Sequence, residues 1–352
     1  MKIIRSVPVA LAAIVLTATS AMADKPPPPA PIVPLLMPAP SPGEIVAASP
    51  ANDWTAISAS DVLVMELAPD AKGPKGEIKP RRVVIQLMPA PFSQGWIGNV
   101  RKLVAARWYD GVSIVRVQDN YVTQWGDPDG EDAAKAKPLP QGLAIVPQSE
   151  YQTSINKILL TDKGHIVGRK DGLPKELLSE IENAAIAPRM TDPYSETLFH
   201  FLGWSLAGDF ENYWPTHCYG MVGVGRNYPP DTGTGAELYT VIGHAPRHLD
   251  RNIALVGRII EGMEHMSSLP RGTGDLGVYK TPEERTAILS VRLASEMGSD
   301  KSLPEYEYLN TESPSFAAYA DARANRRDPF FIKPAGGADI CNIPVPVRRK
   351  KA

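Results

Sequence analysis

Arg116 and Gln124 lie eight residues apart on what read as two neighbouring short strands, among Ile114, Val115, Val117, Tyr121, Val122 and Trp125. A solvated strand face would carry several charges, so one arginine in such company reads as a recognition site. A guanidinium is always charged and presents its N–H donors in one fixed plane. The glutamine amide beside it can both donate and accept. Other chemistry-bearing residues form weaker patterns. His244 and His248 have the four-residue spacing that holds zinc on a helix, but Pro246 breaks that helix and no third ligand stands near, so no metal is expected. Gly272-x-Gly-x-x-Gly277 follows no strand-to-helix junction and is not a nucleotide loop. His217, beside Cys218, reads as coincidence.

The elements that must hold Arg116 and Gln124 are legible in the pattern. Asp110-Gly111 is a turn signal. Alternation then puts Ser113, Val115 and Val117 on one strand face and Ile114, Arg116 and Gln118 on the other. A second run, Tyr121 to Trp125, ends in the turn Gly126-Asp127-Pro128. Upstream, Asp61–Leu67 and Arg82–Met88 read as a strand pair around the turn region 73–76. Ile97, Val100, Leu103 and Val104 mark one face of a helix within 91–108, with Ser93 as N-cap and Gly111 just past its end. Downstream, 174–187 has helical spacing. Phe199–Leu206 and Phe210–Trp214 read as a hairpin around Ala207-Gly208-Asp209. Ile288–Ala294 is a last strand, and Ser313-Pro314 offers an N-cap followed by an N1 proline. The terminal Arg348-Arg349-Lys350-Lys351 reads as a solvated tail.

Composition bounds the class. The 352 residues are 43% hydrophobic, enough for a substantial core, and the 35 prolines and 28 glycines imply many turns and a β-rich body. A net charge of −2 and a pI near 6.3 speak against a nucleic-acid partner. At the N-terminus, Lys2 and Arg5 precede a short apolar core, Val7–Thr17, and Ala21-Met22-Ala23 gives a small-x-small cleavage pattern. The core is too short to span a bilayer, which takes roughly 20 residues. The expectation is a signal peptide over residues 1–23 and a periplasmic mature chain from Asp24. Loss of two positive charges takes its formal net charge from −2 to −4. Residues 24–43 are proline-rich and read as an extended linker. In an oxidising compartment the two cysteines, Cys218 and Cys341, are more often bridged than free. Sequence alone leaves a bridge and two buried thiols both open.

The run from Tyr109 to Pro128 resembles the signature of the cyclophilin-type peptidyl-prolyl isomerases, in a divergent form. Tyr109-Asp110-Gly111 matches its opening, Arg116 falls on its catalytic arginine and Gln124 on its glutamine. The helix before this run, the Pro147–Tyr151 element and the blocks 219–223, 235–243 and 248–263 keep the family's order. The resemblance implies a mostly β fold: a closed antiparallel eight-stranded barrel with two helices. The barrel domain would span 44–297, with an insertion at about 152–215. A C-terminal extension, 298–352, would pack on the barrel, pinned by Cys341 near Cys218.

It also implies prolyl cis–trans isomerisation with no cofactor. Arg116 and Gln124 would be catalytic, and Tyr121, Val122, Tyr239 and Leu249 would line the proline pocket, where family members usually carry Phe, Met, Phe and Leu. Glu237, standing for the family's second glutamine, and His248 would also contact substrate. Val115 and Ile253 replace family histidines. Glu237 is expected to pair with Arg116 and weaken turnover. Partners would be proline-containing segments of exported proteins. The alternatives are an inactive proline-binding or chaperone module of the envelope, and a scaffold whose function lies in the insertion and extension.

Overall fold

The computed structural model describes residues 38–69, 80–154, 192–209, 211–298 and 303–350. The expected signal peptide, most of the expected linker, and the turn and helix expected at 73–76 and 174–187 lie outside these residues. In chain order the strands are β1 (Trp54–Ala56), β2 (Val62–Leu67), β3 (Arg81–Leu87), β4 (Ser113–Val117), β5 (Val122–Gly126), β6 (Thr153–Ser154), β7 (Thr197–Phe201), β8 (Trp204–Gly208), β9 (Asn212–Pro215), β10 (Met221–Val224), β11 (Leu238–Val241), β12 (Leu255–Glu261), β13 (Thr286–Leu293), β14 (Tyr306–Leu309) and β15 (Val347–Arg349). The α-helices are α1 (Pro42–Ala48), α2 (Gln94–Ala105), the single turn α3 (Glu264–Ser267) and α4 (Pro314–Ala324).

Eight strands close into a barrel in the order β10-β11-β5-β4-β13-β2-β3-β12, every neighbouring pair antiparallel. Closure leaves no strand edge with unpaired backbone groups. The apolar runs of β2 and β3 follow from burial on both faces. Leu63, Met65, Leu67, Val83, Ile85 and Leu87 enter the barrel core. Val62, Val64 and Val84 face outward and pack beneath Tyr306. Helix α2 lays Trp96, Ile97, Val100, Leu103 and Val104 into the same core. Ser93 precedes this helix as expected, but it adopts a left-handed backbone and its side chain makes no cap. The Glu150 carboxylate takes over by accepting from the Gly95 N–H at 3.0 Å, a negative charge at the positive end of the helix dipole. The helix ends at Ala105, earlier than the glycine at 111 implies.

The inserted segment forms its own sheet, β6-β9-β8-β7. Phe199–Leu206 is not one strand: Leu202 and Gly203, both at positive φ, make a tight turn between β7 and β8. Leucine is a poor turn signal, which hid this hairpin. The hairpin around Ala207–Asp209 does form, between β8 and β9. Phe201, Trp204 and Leu206 join the barrel core, whereas Leu198, Ala207 and Trp214 face Ile340 and Cys341.

The C-terminal extension shares a core with the residues that open the described chain. Strands β1, β14 and β15 form a three-stranded sheet. Trp54, Tyr308, Leu309, Phe316 and Tyr319 pack together, with Ile45 and Val46 of α1 against them. Helix α1, capped by Ser41, starts at Pro42, inside the stretch read as linker. Helix α4 starts as expected, the Ser313 hydroxyl accepting from the Phe316 N–H at 3.1 Å. The basic terminus is not a free tail. Arg348 pairs with Glu307, Arg349 with Glu261 and Lys350 with Glu305 as β15 joins the sheet.

Cys218 and Cys341 form a disulfide, Cα to Cα 5.1 Å, that closes 123 residues and ties the extension to the segment leading into β10. Restricting a loop of that length in the unfolded chain is worth about 4–5 kcal/mol in the chain-entropy model. Replacing both cysteines by serine is expected to lower the melting temperature by about 10 °C at unchanged far-UV circular dichroism, measured by calorimetry on the oxidised protein and the variant.

Candidate active site

Arg116 sits beside a defect in the barrel wall. A β-bulge between Ile114 and Arg116 shifts the register of β4 against β5. Ile114 and Val117 therefore both enter the core, and the simple alternation of 113–118 breaks at Val115. A bulge of this kind re-aims a side chain. The loop carrying the three spaced glycines lies along the same stretch of β4. The Gly272 N–H donates to the Val117 carbonyl and the Tyr279 N–H to the Val115 carbonyl. Gly277, at φ +79°, would put a Cβ 2.5 Å from the Val117 oxygen, so only glycine lets the loop come this close. The glycine-spaced loop thus delivers the Leu276 carbonyl, which accepts from Arg116 Nε at 2.7 Å.

The guanidinium is held at two further points. Arg116 Nη1 donates to Gln124 Oε1 at 3.0 Å, and Nη2 donates to Gln118 Oε1. Of five guanidinium N–H groups, three are engaged and two remain for a ligand. Gln124 in turn donates from Nε2 to Glu237 Oε1 at 2.5 Å. Glu237 therefore does not pair directly with Arg116, as its position in sequence implied; Gln124 stands between them. Burial pushes the Glu237 carboxyl above its usual range, against the hydrogen bond from Gln124 and the nearby arginine. Burial lowers the Arg116 pKa, while Tyr121 and Glu237 act against it. The group keeps its charge at neutral pH. The Tyr121 ring lies 5.7 Å from the guanidinium carbon.

Arg116, Gln124, Tyr121, Val122, Tyr239 and Leu249 line one cavity of about 100 Å³. Two residues expected with them do not line it. Glu237 acts from behind Gln124, and His248 is exposed on the 3-10 turn that carries Leu249. Gly225, Arg226 and Ile253 complete the wall. Arg226 carried no signal in the sequence, since it sits in a loop with no periodic pattern.

Tyr239 is 4% exposed and brings a hydroxyl into this apolar wall. It faces Gly223 across the β10–β11 ladder, where a Cβ would fall 2.3 Å from the tyrosine oxygen. The hydroxyl lies 2.8 Å from His217 Nε2, and His217 Nδ1 lies 2.8 Å from Asp250 Oδ1. A carboxylate can only accept, so Nδ1 carries the imidazole proton and Nε2 accepts from the tyrosine O–H. Burial raises the Tyr239 pKa well above the ordinary phenol value, which keeps that proton in place. Asp250 Oδ2 also accepts from Arg247 Nε at 2.6 Å, and Arg247 Nη1 reaches Asp192 Oδ2 at 2.5 Å. His217, read from sequence as coincidence, is thus the partner that the tyrosine hydroxyl requires. Only its contact with Tyr239 reveals this, since the two are 22 residues apart. Tyr239→Phe strands the imidazole nitrogen in the interior. It is expected to cost about 1–3 kcal/mol in urea unfolding although it adds no cavity.

The sequence model for "Cyclophilin type peptidyl-prolyl cis-trans isomerase/CLD" matches residues 80–293. A search of curated proteins found no match. Among solved structures, the chain is similar to cyclophilin AquaCyp293 from Hirschia baltica, with a TM-score of 0.57 at 18% identity over 85% of this chain and 95% of that one. A cyclophilin-type isomerase from Cryptosporidium parvum aligns at TM-score 0.35 and 10% identity, over 66% of this chain and 97% of that one. The Hirschia likeness carries the fold alone. Membership rests on the sequence match, which takes in more than half of the residues and both β4 and β11: this chain belongs to the cyclophilin-type peptidyl-prolyl cis-trans isomerase family.

Proposed function

We propose that this chain is an exported peptidyl-prolyl isomerase that speeds cis–trans exchange in folding envelope proteins, with Arg116 stabilising the twisted prolyl amide. The observation that carries this reading is that Arg116, Gln124 and Tyr239 line the same cavity. Rotating a prolyl amide crosses a barrier of about 18–20 kcal/mol. At the top the nitrogen has lost conjugation and holds a lone pair. No bond to a new atom forms, so the protein needs no nucleophile. It needs a seat for the pyrrolidine ring and a donor that is better placed for the twisted nitrogen than for either planar form. Tyr121, Val122, Tyr239 and Leu249 supply the seat, and the two uncommitted N–H groups of Arg116 supply the donor. Gln124, fixed by Glu237, orients the guanidinium. His248, exposed beside Leu249, is available to substrate outside the cavity.

A second reading is a proline-binding module with weak turnover. It is favoured by the engagement of three Arg116 donors with the protein's own groups and by the polar Tyr239 in place of an apolar ring. Proline-peptide exchange measured by NMR separates the two. Arg116→Ala is expected to lower kcat/KM by about a hundredfold, the scale of one lost transition-state donor, with little change in peptide affinity. Wild-type and variant proteins with equal rates would remove Arg116 from this role. Detectable binding with no exchange in either would leave the binding module.

Export rests on Lys2, Arg5, the apolar stretch Val7–Thr17 and the Ala21-Met22-Ala23 pattern, with residues 24–43 as the spacer before a barrel domain over 44–297 and an extension over 298–352. Expression in a Gram-negative host should yield a periplasmic protein whose N-terminal residue is Asp24. Recovery of Met1 in the cytoplasmic fraction would overturn this.

A further inference from the structure

A second, larger hollow adjoins the proline cavity and shares Arg226 with it. Its volume is about 420 Å³, some four times that of the first. Two arginines, Arg226 and Arg251, line it together with the amides of Gln148, Gln152 and Asn252, and among the described residues no carboxylate lines it. Nearby acids are committed elsewhere. Asp231 accepts from the Asn227 and Gly233 N–H groups, and Glu150 from Gly95.

Both arginines are held in place before any ligand arrives. Arg226 donates from Nε to the Asn252 carbonyl at 3.0 Å and from Nη1 to the Asn227 carbonyl at 2.7 Å. Arg251 lies over the Trp214 ring at 4.2 Å, so the inserted sheet fixes its guanidinium. Its backbone is left-handed, φ 62°. For a residue other than Gly, Asn or Asp that conformation costs of order 1 kcal/mol or more, and such strain collects at functional sites. Tyr151 supplies an independent sign that something polar belongs here. It is 8% exposed and stacked on Trp96 at 5.0 Å; Arg226 reaches its oxygen but can only donate, so the O–H has no acceptor among the described residues. Burial raises the pKa of that hydroxyl, while the neighbouring Arg226 draws it down. A buried donor of this kind normally has a partner.

We propose that this hollow is a second substrate subsite that takes the carboxylate of an Asp or Glu flanking the proline in the client segment. The inference rests on the peptide-binding reading above and names the class of substrate that site prefers. The carboxylate accepts from Arg226 and from Arg251, and the Tyr151 O–H donates to the same anion. Arg226, as the shared wall, couples the two lobes. Selectivity between client segments therefore comes from the polar lobe, and the prolyl seat stays indifferent to sequence.

The test uses the full chain and pairs of short peptides with one proline, identical except for Glu or Gln at a neighbouring position on either side. Kd is measured by NMR titration and exchange by NMR on the same samples. For one of the two placements, the Glu peptide is expected to bind about ten times more tightly than its Gln partner, the scale of one partly buried charge-assisted bond. That ratio should shrink as salt rises. In Arg251→Gln the ratio should fall below about three, and Arg251→Lys should restore part of it. Equal Kd values for Glu and Gln at both placements would overturn the subsite, as would a preference that Arg251→Gln leaves intact. The isomerase reading is judged separately: a Glu preference in Kd without exchange would sustain the subsite and remove the enzyme, and exchange at equal Kd would do the reverse.

Discussion

A hydroxyl set into the wall of an apolar cavity must find a partner out of reach of water, and much of this molecule is arranged around that demand. Tyr239 donates to His217, which is held by Asp250, which is held by Arg247, which reaches Asp192. Every side chain from His217 to Asp192 is nearly inaccessible to solvent. Burial disfavours the charge on Arg247, but the two carboxylates outweigh it and raise its pKa. Removing any single member would leave a buried charge or dipole unpaired, which costs more than the intact pair contributes. The chain also crosses a structural boundary. It begins in the barrel wall and ends at Asp192, in the inserted segment, so the shape of the proline cavity and the seating of the insertion depend on the same contacts.

The arginine obeys the opposite logic. It needs freedom at two N–H groups and rigidity everywhere else, and the chain provides rigidity with backbone as well as side chains. The bulge at Val115 turns the residue, the glycine-spaced loop brings the Leu276 carbonyl to Nε, and Gln124 takes Nη1. A carboxylate in direct contact would compete with an incoming amide for the donors. Interposing Gln124 keeps Glu237 close enough to favour the positive charge while its oxygen is spent on the glutamine amide. A donor fixed in this way costs no reorganisation when the substrate twists.

How much of this was legible in the sequence follows from which contacts are local. The β4–β5 hairpin, helix α2 and the catalytic candidates lie within a short stretch whose turn signals and periodicity carry the reading. Barrel closure was legible only through resemblance, because strand order is a matter of pairs such as β13 with β2, far apart in the chain. The register break at Val115 was not legible, since a bulge leaves no mark on residue type there. Neither was the role of His217, whose partners Tyr239 and Asp250 come from two other elements. The basic terminus misled for a related reason: Arg348, Arg349 and Lys350 look solvated until three glutamates on β12, β14 and the approach to β14 are placed opposite them.

The parts that exceed a bare barrel are braces with a cost of their own, and that cost argues against their being ornaments. Arg258 on β12 gives its Nε to Gln86 and its Nη1 to the Gly203 carbonyl of the inserted sheet, lying over Trp204, and burial pulls its pKa down to about 10. His200, in the inserted sheet, binds the Ile343 carbonyl of the extension and is pushed down to about 4 by burial. It is therefore neutral at physiological pH and donates. Placing such groups inside a protein is unfavourable unless each is matched, and here part of the match comes from another layer of the fold. A barrel stripped of the insertion would keep its ladder of hydrogen bonds. It would lose one of the two carboxylates that hold Arg247, the carbonyl that accepts from Arg258, and the Phe201, Trp204 and Leu206 side chains from its core. Insertion, extension and barrel therefore make one compact body.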